Sequence, residues 1–173
     1  RSFPEDKIKG VVIADLSVGG ESPRPSFADF VSGDFDEDGL PDLALANGAA
    51  GDVRFLHNYG KGYLFGYRPH WIDRFAGRVT SLATEDVNGD KHLDLVGTNA
   101  ESNDLMLWLG DGKGSFSRQA PVPFTTKPSG VTLADLNQDG HIDILTSFEI
   151  GEVSWLLGDG RGAFTRAGSR TVC

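Results

Sequence analysis

The chain has 173 residues, 39% of them hydrophobic and 24% charged, and a formal net charge of −9. That composition supports one globular domain with its own core. No run reaches the ~18 apolar residues of a membrane-spanning helix, the acidic balance offers no basic stripe to nucleic acid, and the only cysteine, Cys173, is the last residue, so no internal disulfide forms.

The first segment, 1–24, has neither an initiator Met nor an apolar signal stretch, which predicts a processed chain or an excised piece. Within this N-terminal extension, "KIKGVVIADLSV" (7–18) predicts a lone strand. Its "GVVIADLS" resembles "GVTLADLN" at 130–137, as a degenerate first strand or a strand that latches onto another blade would.

From residue 25 the chain repeats. "DFDEDGLPDLALAN" begins at Asp34, "DVNGDKHLDLVGTN" at Asp86 and "DLNQDGHIDILTSF" at Asp135, 52 and 49 residues apart. A glycine-rich turn follows each in near-constant phase, with Gly60, Gly112 and Gly160 lying 26, 26 and 25 residues after the first acid. The second unit reads "GRVTSLATE", acidic loop, "LDLVGT", "DLMLWLG", turn, "SFSRQAPVPF". The third reads "SGVTLAD", acidic loop, "IDILTS", "EVSWLLG", turn, "AFTRAGSRTV". These are short runs rich in β-branched residues, and no apolar stripe has a helical period. Four strands at a period of 40–50 residues predict an all-β fold of β-propeller blades. The blades cover about 25–72, 77–124 and 128–172 of a single partial propeller spanning 1–173. Propellers close with roughly four to eight blades. The ring is therefore expected to be completed by another chain, as a homodimer, or by sequence beyond this piece, because three blades leave two apolar faces open.

Numbering each loop from its first acid, positions 1, 3, 5 and 9 carry side-chain oxygens. They are Asp34, Asp36, Asp38 and Asp42; Asp86, Asn88, Asp90 and Asp94; and Asp135, Asn137, Asp139 and Asp143. Position 7 varies (Leu40, His92, His141), as expected of a residue that offers only its backbone carbonyl. Like charges this close repel unless a cation sits among them. About six hard oxygens around one centre suit Ca²⁺ better than Mg²⁺, and zinc calls for Cys or His. Three bound Ca²⁺ would take the net charge from −9 to −3. The loop is not an EF-hand, because position 12 is Leu45, Gly97 or Thr146 and the flanks are strands. The second loop has Lys91 where Gly39 and Gly140 stand in the others. A position that needs positive φ penalises Lys, so this loop is expected to be the weakest.

The paired motifs "SGDFDEDGLPDLALAN" and "VSWLLGDGRGAF" resemble the VCBS and FG-GAP repeats, over about residues 25–172. These repeats include the calcium-binding blades of integrin α-subunit propellers and of several secreted proteins. The resemblance implies an extracellular or periplasmic, Ca²⁺-stabilised propeller used for binding.

Antiparallel blades put the acidic loops and the glycine turns on one face. The dissimilar segments, among them "ANGAAGD" (46–52) and "PHWIDRFAGR" (69–78), fall on the other, where recognition is expected. Trp71, Phe75, Arg78 and Phe148 are its candidate ligand contacts, and Trp108 and Trp155 are expected in the core. The leading function is a non-catalytic calcium-binding adhesion or binding scaffold for a protein or glycan ligand. The alternatives are a propeller lectin and the propeller portion of a secreted enzyme. No Ser/His/Asp or Cys/His arrangement stands out, and His57, His70, His92 and His141 show no metal-ligand spacing.

Overall fold

The computed structural model describes residues 27–60, 70–74 and 76–172. The strand expected at 7–18 lies outside them. Three antiparallel sheets follow one another, each with its strands in chain order. The first comprises β1 (Phe27–Gly33), β2 (Asp42–Asn47), β3 (Asp52–Leu56) and β4 (His70–Asp73). The second comprises β5 (Val79–Glu85), β6 (Asp94–Asn99), β7 (Asp104–Gly110), β8 (Phe116–Arg118) and β9 (Val122–Pro123). Both β8 and β9 pair with β7, so the expected single fourth strand is broken. The break brackets Pro121, which has no N–H to give a ladder. The third sheet comprises β10 (Pro128–Ala134), β11 (Asp143–Phe148), β12 (Glu152–Gly158) and β13 (Phe164–Thr171). The fold is all-β and open, a set of propeller blades that does not close on itself. None of the described residues forms a helix long and apolar enough to cross a membrane.

The strand period of two decides how blades stack. In the middle blade one face of β6 and β7 carries Leu95, Met106 and Trp108, packed with Ala44, Ala46, Val53 and Phe55 of the first blade. The alternate residues, Val96, Leu105 and Leu107, pack with Ile144 and Leu156 of the third. Buried on both sides, these strands are continuous apolar runs. The first strands of successive blades, β1, β5 and β10, are neighbours.

The same register sorts the tryptophans. Trp108 pairs with Leu95 and is fully buried. Trp155 pairs with Leu145, one residue out of phase with Ile144 and Leu156, so it turns away from the second blade. It is half-buried rather than in the core, and its indole lies where a side chain on Gly168 would stand. The two terminal faces are not alike. On the first blade the outward residues Leu45 and Leu56 are buried, while Phe30, the cross-strand partner of Leu45, is 59% exposed, so that face is only partly covered.

The second residue of each acidic loop reports the same asymmetry. Phe35 is 2% exposed and Val87 1%, each covered by the following blade, whereas Leu136 in the third blade is 44% exposed. Phe35 meets Phe55 and Phe116 edge-on, at ring separations of 6.1 and 5.6 Å. Replacing Phe35 with Ala should therefore cost about 3–5 kcal/mol in urea unfolding. Leu136→Ala should stay within about 0.5 kcal/mol, and equal costs would contradict this reading of the blade interface.

Candidate metal centre

Each link from first to second strand is the nine-residue acidic loop, and the three copies bind their own backbone alike. The position 1 carboxylates accept the position 6 N–H: Gly39 to Asp34 at 3.0 Å, Lys91 to Asp86 at 2.8 Å and Gly140 to Asp135 at 2.9 Å. Position 3 oxygens accept the position 5 N–H, at 3.3, 2.9 and 3.0 Å in chain order. Position 5 carboxylates accept the N–H of Leu40, His92 and His141 at 2.8, 2.9 and 2.8 Å. Such side-chain turns curl the loop and keep its odd-numbered oxygens on the inside.

Position 9 anchors the loop. Asp42, Asp94 and Asp143 are fully buried. In each, one oxygen accepts the N–H of position 2 (Phe35, Val87, Leu136) at 3.2, 2.9 and 2.9 Å. The other accepts an N–H at the end of the third strand (Asn58, Gly110, Gly158) at 2.8 Å. Each oxygen keeps a second lone pair for a cation. Burial pushes Asp94 up to about 6, against the bonds from Gly110 and Val87, and the charges of Asp90 and Asp86 add to the rise. Asp42 is raised as well, chiefly by burial. A carboxylate taken out of water beside other carboxylates is what a dication relieves.

Tight curling takes two positive-φ residues per loop. They are Glu37 and Gly39, Gly89 and Lys91, and Gln138 and Gly140. Lys91 does adopt the left-handed region, at φ 76°. The second loop compensates with Gly89 at position 4, where the others place Glu37 and Gln138. Every loop thus carries one glycine and one strained residue, which removes the ground for ranking the Lys91 loop weakest.

The side chains of position 7 do not turn inward. Leu40 lies over Gly60, His92 over Gly112 and His141 over Gly160. The glycine turns also serve the blade before them. Gly114 N–H bonds Phe35 O at 3.1 Å, a Cβ on Gly114 would lie 3.6 Å from the Asp36 Cβ, and one on Gly162 would lie 3.6 Å from the Asn88 Cβ. His92 and Glu37 bridge the first two loops at 2.5 Å.

The first loop differs in its donors. In the other two, the position 3 amide donates to the position 5 carboxylate, Asn88 to Asp90 and Asn137 to Asp139, both at 2.9 Å. Asp36 has no such proton to give. Instead His57 enters, its Nδ1 2.7 Å from Asp36 Oδ2 and 3.3 Å from Asp42 Oδ1, and its Nε2 3.8 Å from Asp38 Oδ2. Ligand atoms of Asp34, Asp36 and Asp42, and of Asp36, Asp38 and His57, lie within 4.8 Å of one another. Asp34 Oδ1 is buried with no hydrogen-bond partner. The donor sets of the second and third loops fit a hard dication, and the first adds an imidazole nitrogen to its oxygens. Sequence spacing missed His57, because only the register of β3 against β2 brings it beside the loop.

Of the expected ligand contacts, Trp71 sits on β4 opposite Arg54 and Phe75 lies outside the described residues. Arg78 is exposed and lines a cavity of about 330 Å³ with Ala28, Gly48, Ala49, Val79 and Thr80. Phe148 is not a surface contact. It is 4% exposed and packs edge-on against Phe124 at 5.0 Å, because the alternation of β11 sends it inward with Ile144 and Thr146.

A family profile described as an FG-GAP-like repeat matches residues 34–97 and 86–146, each match running from one acidic loop into the second strand beyond the next loop. No curated protein matches the chain. Among solved structures, the crystal structure of BBS1N in complex with ARL6DN, soaked with lead, is similar with a TM-score of 0.57 at 11% identity. The match covers 89% of this chain and 41% of that one, so this chain spans about two fifths of its length. At that identity the likeness speaks to fold alone.

Two outcomes check the loop geometry. Lys91→Gly should raise stability by up to about 1 kcal/mol, whereas Gly89→Ala should lower it by about 1–2 kcal/mol, both read by chemical denaturation. In metal-free protein the Asp94 carboxyl should titrate near 6 by carbon NMR. Its folded value lies above the ordinary value of about 3.9, so ionising it costs stability as pH rises from about 4 to 6. A saturating dication should bring the midpoint down to the ordinary carboxylate range or below.

Proposed function

Because the chain belongs to the FG-GAP-like repeat family, we propose that it is a calcium-binding β-propeller module that works as a non-catalytic extracellular binding or adhesion scaffold. One observation carries the calcium reading. Three loops of different sequence fold to one hydrogen-bond pattern that collects the oxygens of positions 1, 3, 5 and 9 and buries a carboxylate at the base. Hard oxygens without thiolates, in numbers beyond what Mg²⁺ accepts from protein, favour Ca²⁺. Open sites of this kind bind at roughly 10⁻⁴–10⁻³ M, which suits the calcium level outside cells.

The loops and their glycine turns pack on each other and so serve structure. Recognition then falls to the opposite face, where Gly77 N–H bonds Gly51 O at 3.1 Å and joins two blades beside the Arg78 cavity. A protein or glycan ligand carrying an acid would meet Arg78 there. Further blades, from a second copy or from a longer chain, would cover the open face of the third blade, around Leu136 and Trp155.

Calcium should stabilise the fold by mass action. Each site contributes roughly 1.4 kcal/mol at a tenfold excess over its Kd. In differential scanning calorimetry, EGTA should lower the melting temperature by several degrees and added Ca²⁺ should restore it, with Mg²⁺ restoring little. A melting curve indifferent to chelator would sink the calcium reading.

A further inference from the structure

One residue at the end of the third strand is set by a shared bond. Asn58, Gly110 and Gly158 each donate their N–H to the position 9 aspartate. The residues just before them are therefore equivalent, and they are His57, Leu109 and Leu157. Two blades place an inert leucine at that position, and one places an imidazole.

That imidazole lies in ion-pair range of Asp36, Asp42 and Asp38, at 2.7, 3.3 and 3.8 Å. Its Nδ1 is buried and has no hydrogen-bond partner among the described residues. It approaches Asp36 and Asp42 closely without the direction of an N–H···O bond. The ring is held from the side by Tyr59, edge-on at 4.3 Å. Asp34 Oδ1 is a second buried, unpartnered atom of the same loop. The neighbouring residue is altered too. At the Gly110 and Gly158 positions a Cβ would strike the carbonyl of Leu93 or Ile142. The first blade has Asn58 instead, and its amide donates to Pro41 O at 2.9 Å, tying the residue after His57 to the loop.

We propose that the first loop is a mixed nitrogen–oxygen site for a zinc-class dication, held by His57 with the carboxylates of Asp36 and Asp38, whose ligand atoms lie within 4.8 Å of one another, while the second and third loops take calcium. Neutral imidazole is a good ligand for Zn²⁺ and its first-row neighbours, whereas Ca²⁺ is held by oxygen. This inference rests on the reading above that the acidic loops hold dications, and it assigns the one loop whose donors depart from the oxygen pattern.

The test uses the full chain with Ca²⁺ in large excess, and Co²⁺ and Zn²⁺ as probes. One equivalent of Co²⁺ should bind with visible d–d bands and be displaced by Zn²⁺. Among the four histidines, the imidazole ¹⁵N signals of His57 alone should move on Zn²⁺ addition. His57→Leu, which installs the residue of the other blades, should weaken Co²⁺ binding by more than about tenfold and leave the calcium response of the other loops intact. His57→Gln guards against a packing effect of leucine and should lose Co²⁺ equally, with an unchanged circular dichroism spectrum. Absence of stoichiometric Co²⁺ binding under excess Ca²⁺ would overturn the proposal. So would undiminished Co²⁺ binding in both variants, or Zn²⁺ signals at His92 or His141 in place of His57. Loss of every calcium response, with Co²⁺ still bound through His57, would instead count against the calcium reading of the other two loops.

Discussion

A buried carboxylate at the foot of the second strand organises each blade. Asp42, Asp94 and Asp143 admit no solvent, and each ties its own stretch to one seven residues earlier and one 15 or 16 residues later. One oxygen fixes the start of the acidic loop and the other fixes the end of the third strand. A buried charge is tolerated only when it is well bonded. Two amides do part of that, and the odd-numbered oxygens above offer a place for a cation to do the rest. The acidic loop is thus no appendage to the sheet, because the residue that closes it is also the first residue of β2, β6 or β11.

Much of this was legible in the sequence, since it rests on local chemistry. The phase of acids and glycines located the loops, and β-branched runs located the strands. Positive φ at position 6 followed from Gly39 and Gly140. What escaped depends on register between strands. Trp155 looked like Trp108 but stands one residue out of phase, and Phe148 looked like a strand-end aromatic but points into the core. His57 looked isolated because its partners lie 15 to 21 positions earlier, across a hairpin. Gly89 could be weighed against Lys91 only once position 4 was known to need the left-handed region as well.

The three blades also show how a repeat drifts while keeping its frame. The frame is the set of amide-to-carboxylate bonds, which uses backbone donors and so tolerates any residue at the donor position. Leu40, His92 and His141 are interchangeable for that reason. Chemistry changes where a side chain faces the loop without being part of the frame. At one such place, leucine in two blades gives way to histidine in the first.

The packing of a glycine turn against the acidic loop of the blade before it has a consequence for how a disturbance travels. Gly114 touches the loop of the first blade and Gly162 the loop of the second, so each contact runs from a loop to the turn of the blade that follows. The stack is therefore polar, like a row of tiles each overlapping the next. Loosening one loop frees the turn of its successor and leaves its predecessor's loop seated. Fraying should then run along the chain in one sense, and the two ends of the stack are physically different surfaces.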